Sequence, residues 1–416
     1  MEGRYLPRIA DAEVDDRLKR IGAILIEGAK GCGKTATAGR HCASLVRLDL
    51  DDAARVTAEI APSNVLDGPA PRLIDEWQLA PRLWNAVRRA VDDRQQPGQF
   101  ILTGSATPAD DDTRHTGAGR ISRLRMRTLS LAESGLSSGS VSLAGLMTGE
   151  LDPVTSPLTL DDVIEEACHG GWPADRTLPW SAAQANVADY CAEIADVDIR
   201  TVDGVRRDSG RVRLLMQSLA RHTATRARLA TLADDTNSQL SQDTASSYLG
   251  ALQRLMIVEP LPSWSPVLRS KARIRVAPKH HFVDPAMAVS LLNAGPDELR
   301  RDLKTFGFVF ESLALRDLRV YAQPLRATVH HYLDSTGLEV DTIIDGGYDR
   351  WGAAEIKLGG GAAVIDRAAA NLASFAAKVD VQSAGQPRFL AVITADGYAY
   401  RRPDGVFVVP LGVLGA

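Results

Sequence analysis

Cysteine is scarce in this 416-residue chain: Cys32, Cys42, Cys168 and Cys191 are all it has, and none sits in a C-x-x-C pair. Such a set builds neither a disulfide framework nor a zinc-ligand spacing, and a reducing, cytoplasmic compartment fits best. Long uncharged apolar runs are missing too, so no segment reads as a membrane span. The stretch from Met1 to Arg8 has no apolar signal core. The expectation is a soluble intracellular protein with no membrane partner. An excess of one charge is also lacking, with a net charge of −4 and 24% charged residues. Whole-chain charge therefore names no partner, and any nucleic-acid contact has to come from a local basic patch. The length suits roughly two or three domains, each with its own core.

What is present is concentrated early. Gly28-Ala29-Lys30-Gly31-Cys32-Gly33-Lys34-Thr35 fits G-x-x-x-x-G-K-[ST] at every fixed position. Ahead of it Ile21 to Glu27 is a short apolar run suited to a buried strand, and behind it Ala36 to Arg40 can open a helix. Strand, glycine loop and helix start together make a phosphate cradle, because glycines let backbone N–H groups turn inward and the helix N-terminus adds positive potential. All eight residues form the candidate ATP-binding set. Lys34 would reach the β- and γ-phosphates and Thr35 would ligate Mg²⁺. Cys32 reads as a small filler whose oxidation would block nucleotide.

Alternating short apolar runs and helical stretches continue to about Ser134, which implies a parallel sheet with crossover helices. Ser44 to Leu50 is a second strand, and Arg72-Leu73-Ile74-Asp75-Glu76 a third that ends in two carboxylates. Ligands sit at the carboxyl ends of such strands. That places Asp75 in the Mg²⁺ shell through water and Glu76 where it polarises an attacking water. Gln99 to Ser105 is the next strand, and Thr103 and Ser105 are both candidates to sense the γ-phosphate. An acidic loop, Ala109 to Gly119, follows. Arg123, Arg125 and Arg127 then share one strand face. Three uses are open to them besides solvation: pairing with acidic neighbours, touching nucleic acid, or serving as an arginine finger for an adjacent subunit.

Residues 1–135 resemble an AAA+-type P-loop ATPase domain of the bacterial and archaeal group with an uncharacterised C-terminal domain. The motifs that carry the resemblance are Arg4-Tyr5-Leu6-Pro7-Arg8, the glycine loop, Leu73-Ile74-Asp75-Glu76-Trp77-Gln78, Leu102-Thr103-Gly104-Ser105, and Gly119-Arg120 leading to Leu129-Ser130-Leu131-Ala132-Glu133. Arg120 joins the ATP-binding set on this ground. The resemblance continues through Gly170-Gly171-Trp172-Pro173 and Phe282-Val283-Asp284-Pro285. It implies ATP hydrolysis with Mg²⁺.

Residues 136–210 read as a Ser/Gly/Pro-rich linker followed by helices, with Gly170 to Pro173 a structural turn. Residues 211–285 read as a winged-helix module: helices over Val212–Ala220 and Thr225–Ala233, a third from Ser241, then a β-wing from Ile257. The return of the wing carries Lys271, Arg273, Arg275 and Lys279, which suit phosphate contacts or simple solvation. No base-reading cluster stands out. Residues 286–416 hold a second constellation: Glu311 in a helical stretch, Asp341 on one strand, Glu355 and Lys357 on the next. Clustered acids with a lysine beside them suit a Mg²⁺-dependent phosphodiesterase. The arrangement resembles the PD-(D/E)xK nuclease core, with Asp341 as its first acid, Glu355-Ile356-Lys357 as (D/E)xK and Glu311 as the helix acid. Proline is absent ahead of Asp341. Asn371 is a further candidate amide.

The expected architecture is thus α/β throughout: a P-loop NTPase parallel sheet, a winged-helix module, and a C-terminal restriction-endonuclease-like domain. The expected function is a Mg²⁺- and ATP-dependent enzyme acting on nucleic acid, DNA before RNA, with possible homo-oligomers. Catalysis would rest on Lys34, Glu76, Asp341, Glu355 and Lys357, and metal binding on Thr35, Asp75, Glu311, Asp341 and Glu355. The alternative is an ATP-gated regulator, or a toxin or defence component, with an inert nuclease fold.

Overall fold

Five short apolar runs build the first layer: Ala23–Glu27 (β1), Ser44–Arg47 (β2), Arg72–Asp75 (β3), Phe100–Gly104 (β4) and Ile121–Arg125 (β5). They form a wholly parallel sheet in the order β2-β3-β4-β1-β5. The structure is a computed structural model that describes residues 5–105, 117–202, 204–237, 239–267 and 276–416. The acidic loop expected from Ala109 falls largely outside those residues. Strands covered on both faces need continuous apolar sequence, which is why Ala23 to Ile26 and Phe100 to Leu102 carry no charge. The helices Ile9–Leu18 and Lys34–His41 cover one face through Val14 and Ala38. The helix Arg82–Arg94 covers the other through Leu83, Trp84 and Val87.

The stretch after β5 departs from the expected linker. Val141–Ser142 (β6) pairs in parallel with Leu414–Gly415, and Val154–Thr155 (β7) pairs with Tyr398 and Ala399 at an edge of the C-terminal sheet. Backbone groups that composition marks as loop are hydrogen-bonded into strands at both places. The 136–210 boundary is corrected accordingly: its first part belongs with the C-terminal sheet. In its second part, the helix Leu160–His169 packs through Val163, Ile164 and Cys168 on the core of the C-terminal sheet, and Trp180–Glu193 packs through Val187 and Cys191 with the module that follows.

That module holds the helices Ser209–Arg221, Leu229–Asp234 and Gln242–Arg254, then an antiparallel hairpin of Val258–Leu261 (β8) and Lys279–Phe282 (β9). Two helix starts are capped by side chains, Asp208 accepting from Arg211 N and Ser241 from Thr244 N. Tyr248, Leu249, Leu252 and Leu255 face a core shared with Val212, Leu215, Phe282 and Met287. The helix Pro285–Leu291 closes this core, so the break placed at 286 falls inside a packed element.

The second sheet comprises Thr328–Leu333 (β10), Glu339–Asp345 (β11), Trp351–Lys357 (β12), Phe389–Thr394 (β13), Tyr398–Arg401 (β14) and Phe407–Pro410 (β15), with Leu414–Gly415 (β16) beside β6. Its order is β10-β11-β12-β13-β15-β14-β7, antiparallel from β10 to β12 and parallel from β12 through β13 to β15. The helix Leu303–Ala322 covers one face and Ala362–Lys378 the other. Gly352 is required in β12, because a Cβ there would run into the Phe389 ring. Among the described residues no helix is long and apolar enough to cross a membrane.

Candidate functional site

Parallel register brings the informative ends of three strands to one edge. β1 runs straight into the glycine loop, whose Gly31 and Gly33 take φ of +77° and +103°. Gly33 caps the helix Lys34–His41, so the first amides of that helix have no intrahelical partner and point into the cradle. Gly28 lies so close to Met126 that a Cβ would strike its carbonyl oxygen. Lys34 is buried, and its Nζ donates to the carbonyls of Gly28 and Ala29, each at 3.0 Å.

Thr35 Oγ1 donates to Asp75 Oδ1 at 2.8 Å, and Thr103 Oγ1 donates to the same oxygen. Glu76 follows at the strand end in a left-handed backbone conformation (φ 54°, ψ 47°), a strained placement for a residue with a Cβ. Its Oε2 accepts from Gln78 Nε2 and from Ser105 Oγ at 3.4 Å. The fold therefore assembles Thr35, Asp75, Glu76, Thr103 and Ser105 beside the loop. A hydroxyl and a carboxylate sharing one hydrogen bond at a helix N-terminus form a donor set that fits Mg²⁺ held with a nucleotide. Arg120 is a correction. It precedes β5, at the amino-terminal edge of the sheet and therefore opposite the loop, and pairs with Asp92 at 2.8 Å.

Two residues quoted only as parts of motifs hold the loop in place. Arg8 is buried; its Nη1 donates to Cys32 O and its Nη2 to Arg127 O, both at 2.8 Å, and its Nε pairs with Glu133 at 3.1 Å. The Trp172 ring lies against Gly31, and its Nε1 donates to Lys30 O at 3.4 Å. Charge and aromaticity inside short motifs were the only signal for either. Asp284 was equally missed. It accepts from Thr128 Oγ1, Gly171 N and Arg316 Nη1 at 2.7, 2.9 and 3.1 Å, joining three modules.

The C-terminal constellation is also brought together. Lys357 Nζ lies 2.8 Å from Asp341 and 2.5 Å from Glu355, and Asn371 Nδ2 donates to Glu355 at 2.6 Å. Glu311 faces the same cluster from its helix. Lys279 enters it unexpectedly, pairing with Glu311 at 2.8 Å and Glu339 at 3.0 Å. Burial, reinforced by the Asp341 charge, pushes Glu311 up to about 7 and Glu355 up to about 8. Burial alone would also raise Asp341, but Lys357 and Lys279 outweigh it and hold its carboxyl below the ordinary range. Among the described residues no three His, Cys, Asp or Glu groups stand at metal-holding positions. As arranged, the acids embrace two ammonium groups and do not fit a metal ion.

The expected nucleic-acid contacts fare differently. Lys271, Arg273 and Arg275 lie outside the described residues. Lys279 is corrected: at 3% exposure, between two carboxylates, it has no face left for a phosphate. Of the uses open to Arg123, Arg125 and Arg127, pairing with acids is what the fold contains. Arg123 meets Glu27 at 3.0 Å, and Arg125 and Arg127 meet Glu259 at 2.7 and 3.0 Å.

With this geometry in place, comparison with known proteins adds the following. Residues 21–135 match the model of a family described as an AAA domain. Residues 160–298 and 306–414 match two families described as domains of unknown function, DUF8612 and DUF4143. The chain is 28% identical over 324 residues to the uncharacterized proteins Rv2008c of Mycobacterium tuberculosis and Mb2031c of Mycobacterium bovis, covering 74% of this chain. It spans 65% of the length of these curated relatives. Among solved structures it is similar to the Walker-type ATPase paby2304 of Pyrococcus abyssi, at 12% identity and TM-score 0.43, covering 70% of this chain and 97% of that one. It is also similar to AMPPCP-bound DnaA from Aquifex aeolicus, at 14% identity and TM-score 0.28, covering 61% and 88%. Scores this low describe partial likeness only. The parallel sheet with its glycine loop is an AAA-type P-loop ATPase domain.

Proposed function

We propose that the chain is a Mg²⁺-dependent ATPase that uses hydrolysis to control how its C-terminal half holds nucleic acid, DNA before RNA. One observation carries the reading. A buried polar path leaves the phosphate loop at Cys32 O, passes through Arg8 to Glu133, continues along Ser130 and Leu131, and ends on Asp317. Asp317 sits on the helix that also carries Glu311. A loop that shifts when it grips a triphosphate thus has a rigid connection to the second sheet.

The chemistry follows from the loop's own residues. Lys34 exchanges the carbonyls of Gly28 and Ala29 for phosphate oxygens. Glu76 takes the proton of the attacking water as its oxygen bonds to the γ-phosphorus; the bond to the β–γ bridging oxygen breaks, and ADP and phosphate leave. Thr35, with Asp75 through water, would hold Mg²⁺, which supplies charge neutralisation across the phosphates.

Three helices followed by a hairpin support the winged-helix reading of 211–285. The succession of a helix, β10, β11, β12, a helix and β13 supports a PD-(D/E)xK-like core. A second reading, a regulator whose nuclease-like core does not cut, is favoured by Lys279 and Lys357 occupying the acid cluster. The experiment is ATP turnover by the full chain with and without single-stranded, duplex and branched DNA, beside end-labelled cleavage. Lys34→Ala should abolish turnover. DNA that changes neither turnover nor its own ATP-dependent retention on a filter sinks the nucleic-acid reading. Cleavage that survives Asp341→Ala removes the C-terminal cluster as its source.

A further inference from the structure

Glu259, on β8, is 6% exposed and is met by three guanidiniums. Arg125 Nη2 lies 2.7 Å from Oε1, while Arg127 Nε and Arg319 Nη1 lie 3.0 and 2.8 Å from Oε2. Among the described residues no second carboxylate pairs with them; one carboxylate neutralises one cation, so two positive charges remain at the wall of the cavity. Burial holds the Arg127 and Arg319 guanidiniums below their ordinary range, Arg319 at about 10, which marks the surplus as costly. The Arg125–Glu259 contact lacks hydrogen-bond alignment, and Arg125 Nε is buried with no hydrogen-bond partner among the described residues. These arginines line a cavity of about 540 Å³ whose walls add Gln253, Gln323 and Thr328.

We infer that this cavity is a second anion site that takes a terminal phosphate monoester on a nucleoside, a chemistry shared by a free nucleoside monophosphate and the phosphorylated end of a nucleic-acid strand. Two spare guanidiniums match a dianion, and arginine forks bind phosphate oxygens in pairs. The volume suits a single nucleotide. A terminal phosphate brings two charges and three free oxygens to the paired guanidiniums, whereas a backbone phosphodiester brings one charge and two free oxygens. The site also abuts the first one. Met126, between Arg125 and Arg127, donates its N–H to Glu27 O at 2.8 Å, directly before Gly28. Arg8 bonds both Arg127 O and Cys32 O. The inference does not require hydrolysis at the glycine loop.

The test uses the full chain carrying Lys34→Ala, so that the glycine loop contributes little. Fluorescence anisotropy would follow 3′-labelled oligodeoxynucleotides with a 5′-phosphate or a 5′-hydroxyl, with AMP as competitor. Arg125→Gln, at a partly exposed position, should weaken binding of the phosphorylated probe or of AMP roughly tenfold or more. Glu259→Gln removes the competing carboxylate and should tighten it by a similar factor; a purely structural role would not strengthen anything. If Glu259→Gln does not fold, the Arg125 variant decides alone. A preference for the phosphorylated strand over AMP assigns a strand end, and equal competition by AMP assigns a free nucleotide. Indifference to the 5′-phosphate together with no AMP binding overturns the proposal. So does an affinity that folded Arg125→Gln leaves unchanged.

Discussion

Arg8 and Glu133 stand 125 residues apart in sequence and meet as a buried ion pair at 3.1 Å, with Ile9 N and Ser130 N also donating to the Glu133 carboxylate. Removing one member strands the other charge in a dry environment, which costs about 3–5 kcal/mol. Arg8→Met should fall at the lower end of that range, because two backbone amides still serve Glu133. The double variant Arg8→Met/Glu133→Gln should lose less than the sum of the single changes. Urea-unfolding midpoints of the four proteins measure this, and simple additivity would mean that the pair is not coupled.

Glu76 separates binding from chemistry. Glu76→Gln keeps the side-chain shape, the left-handed backbone and the contact from Ser105, but takes away the base. ATP affinity should stay within a few-fold, while turnover falls by about 10²-fold or more. Equilibrium nucleotide binding and phosphate release on the same preparation test both halves. Turnover near the wild-type level would move the base elsewhere.

The ATP site was the most legible part of the chain, and there is a physical reason. A parallel sheet puts the ends of neighbouring strands on one edge, so residues at strand ends are neighbours in space even when distant in sequence. Gly28 to Thr35, Asp75, Glu76, Thr103 and Ser105 all follow this rule; Asp341, Glu355 and Lys357 meet differently, because β11 and β12 are antiparallel and set the start of one strand beside the end of the next. Arg120 failed because its motif said nothing about which end of β5 it occupied. Lys279 failed because an alternating basic pattern looks alike whether the lysine faces solvent or, as here, is itself buried against two carboxylates. The segment at 137–160 failed because its pairing partners, Leu414 and Tyr398, lie more than half the chain away. Buried ion pairs such as Arg8–Glu133 or Arg127–Glu259 leave no local periodicity at all.

The acid–lysine cluster makes stability depend on pH with a definite sign. Burial raises Glu355 to about 8, helped by Asp341 and opposed by Lys357 and Asn371. A carboxyl that binds its proton more tightly when folded contributes stability that is complete below its unfolded pKa and is lost as pH rises through the folded value. Glu311, raised to about 7, acts in the same direction. Asp341, lowered, contributes stability that is lost only as pH falls below the ordinary carboxylate range. Glu355→Gln keeps the contact with Asn371 and cannot ionise. Its stability relative to the wild type should therefore rise between about pH 6 and 8.5. Denaturation midpoints across that range check it, and a constant difference would place the folded Glu355 pKa below the window.

Trp172 offers an optical report on the phosphate loop. Its ring is 7% exposed, stacks edge-on against Tyr190 with centroids 5.3 Å apart, and touches the loop at Gly31 and Lys30. A loop that rearranges around a triphosphate alters the surroundings of this indole directly. Tryptophan emission should therefore change on adding ATP with Mg²⁺, and Trp172→Phe should lose most of the change while still binding nucleotide by equilibrium dialysis. Trp172→Ala is a harsher substitution, expected to cost about 3–5 kcal/mol through the cavity it leaves. Lys34→Ala is the control, since it removes the phosphate contact but leaves the indole in place. An emission change that persists undiminished in Trp172→Phe would assign the signal to another tryptophan and leave the loop's movement without a reporter.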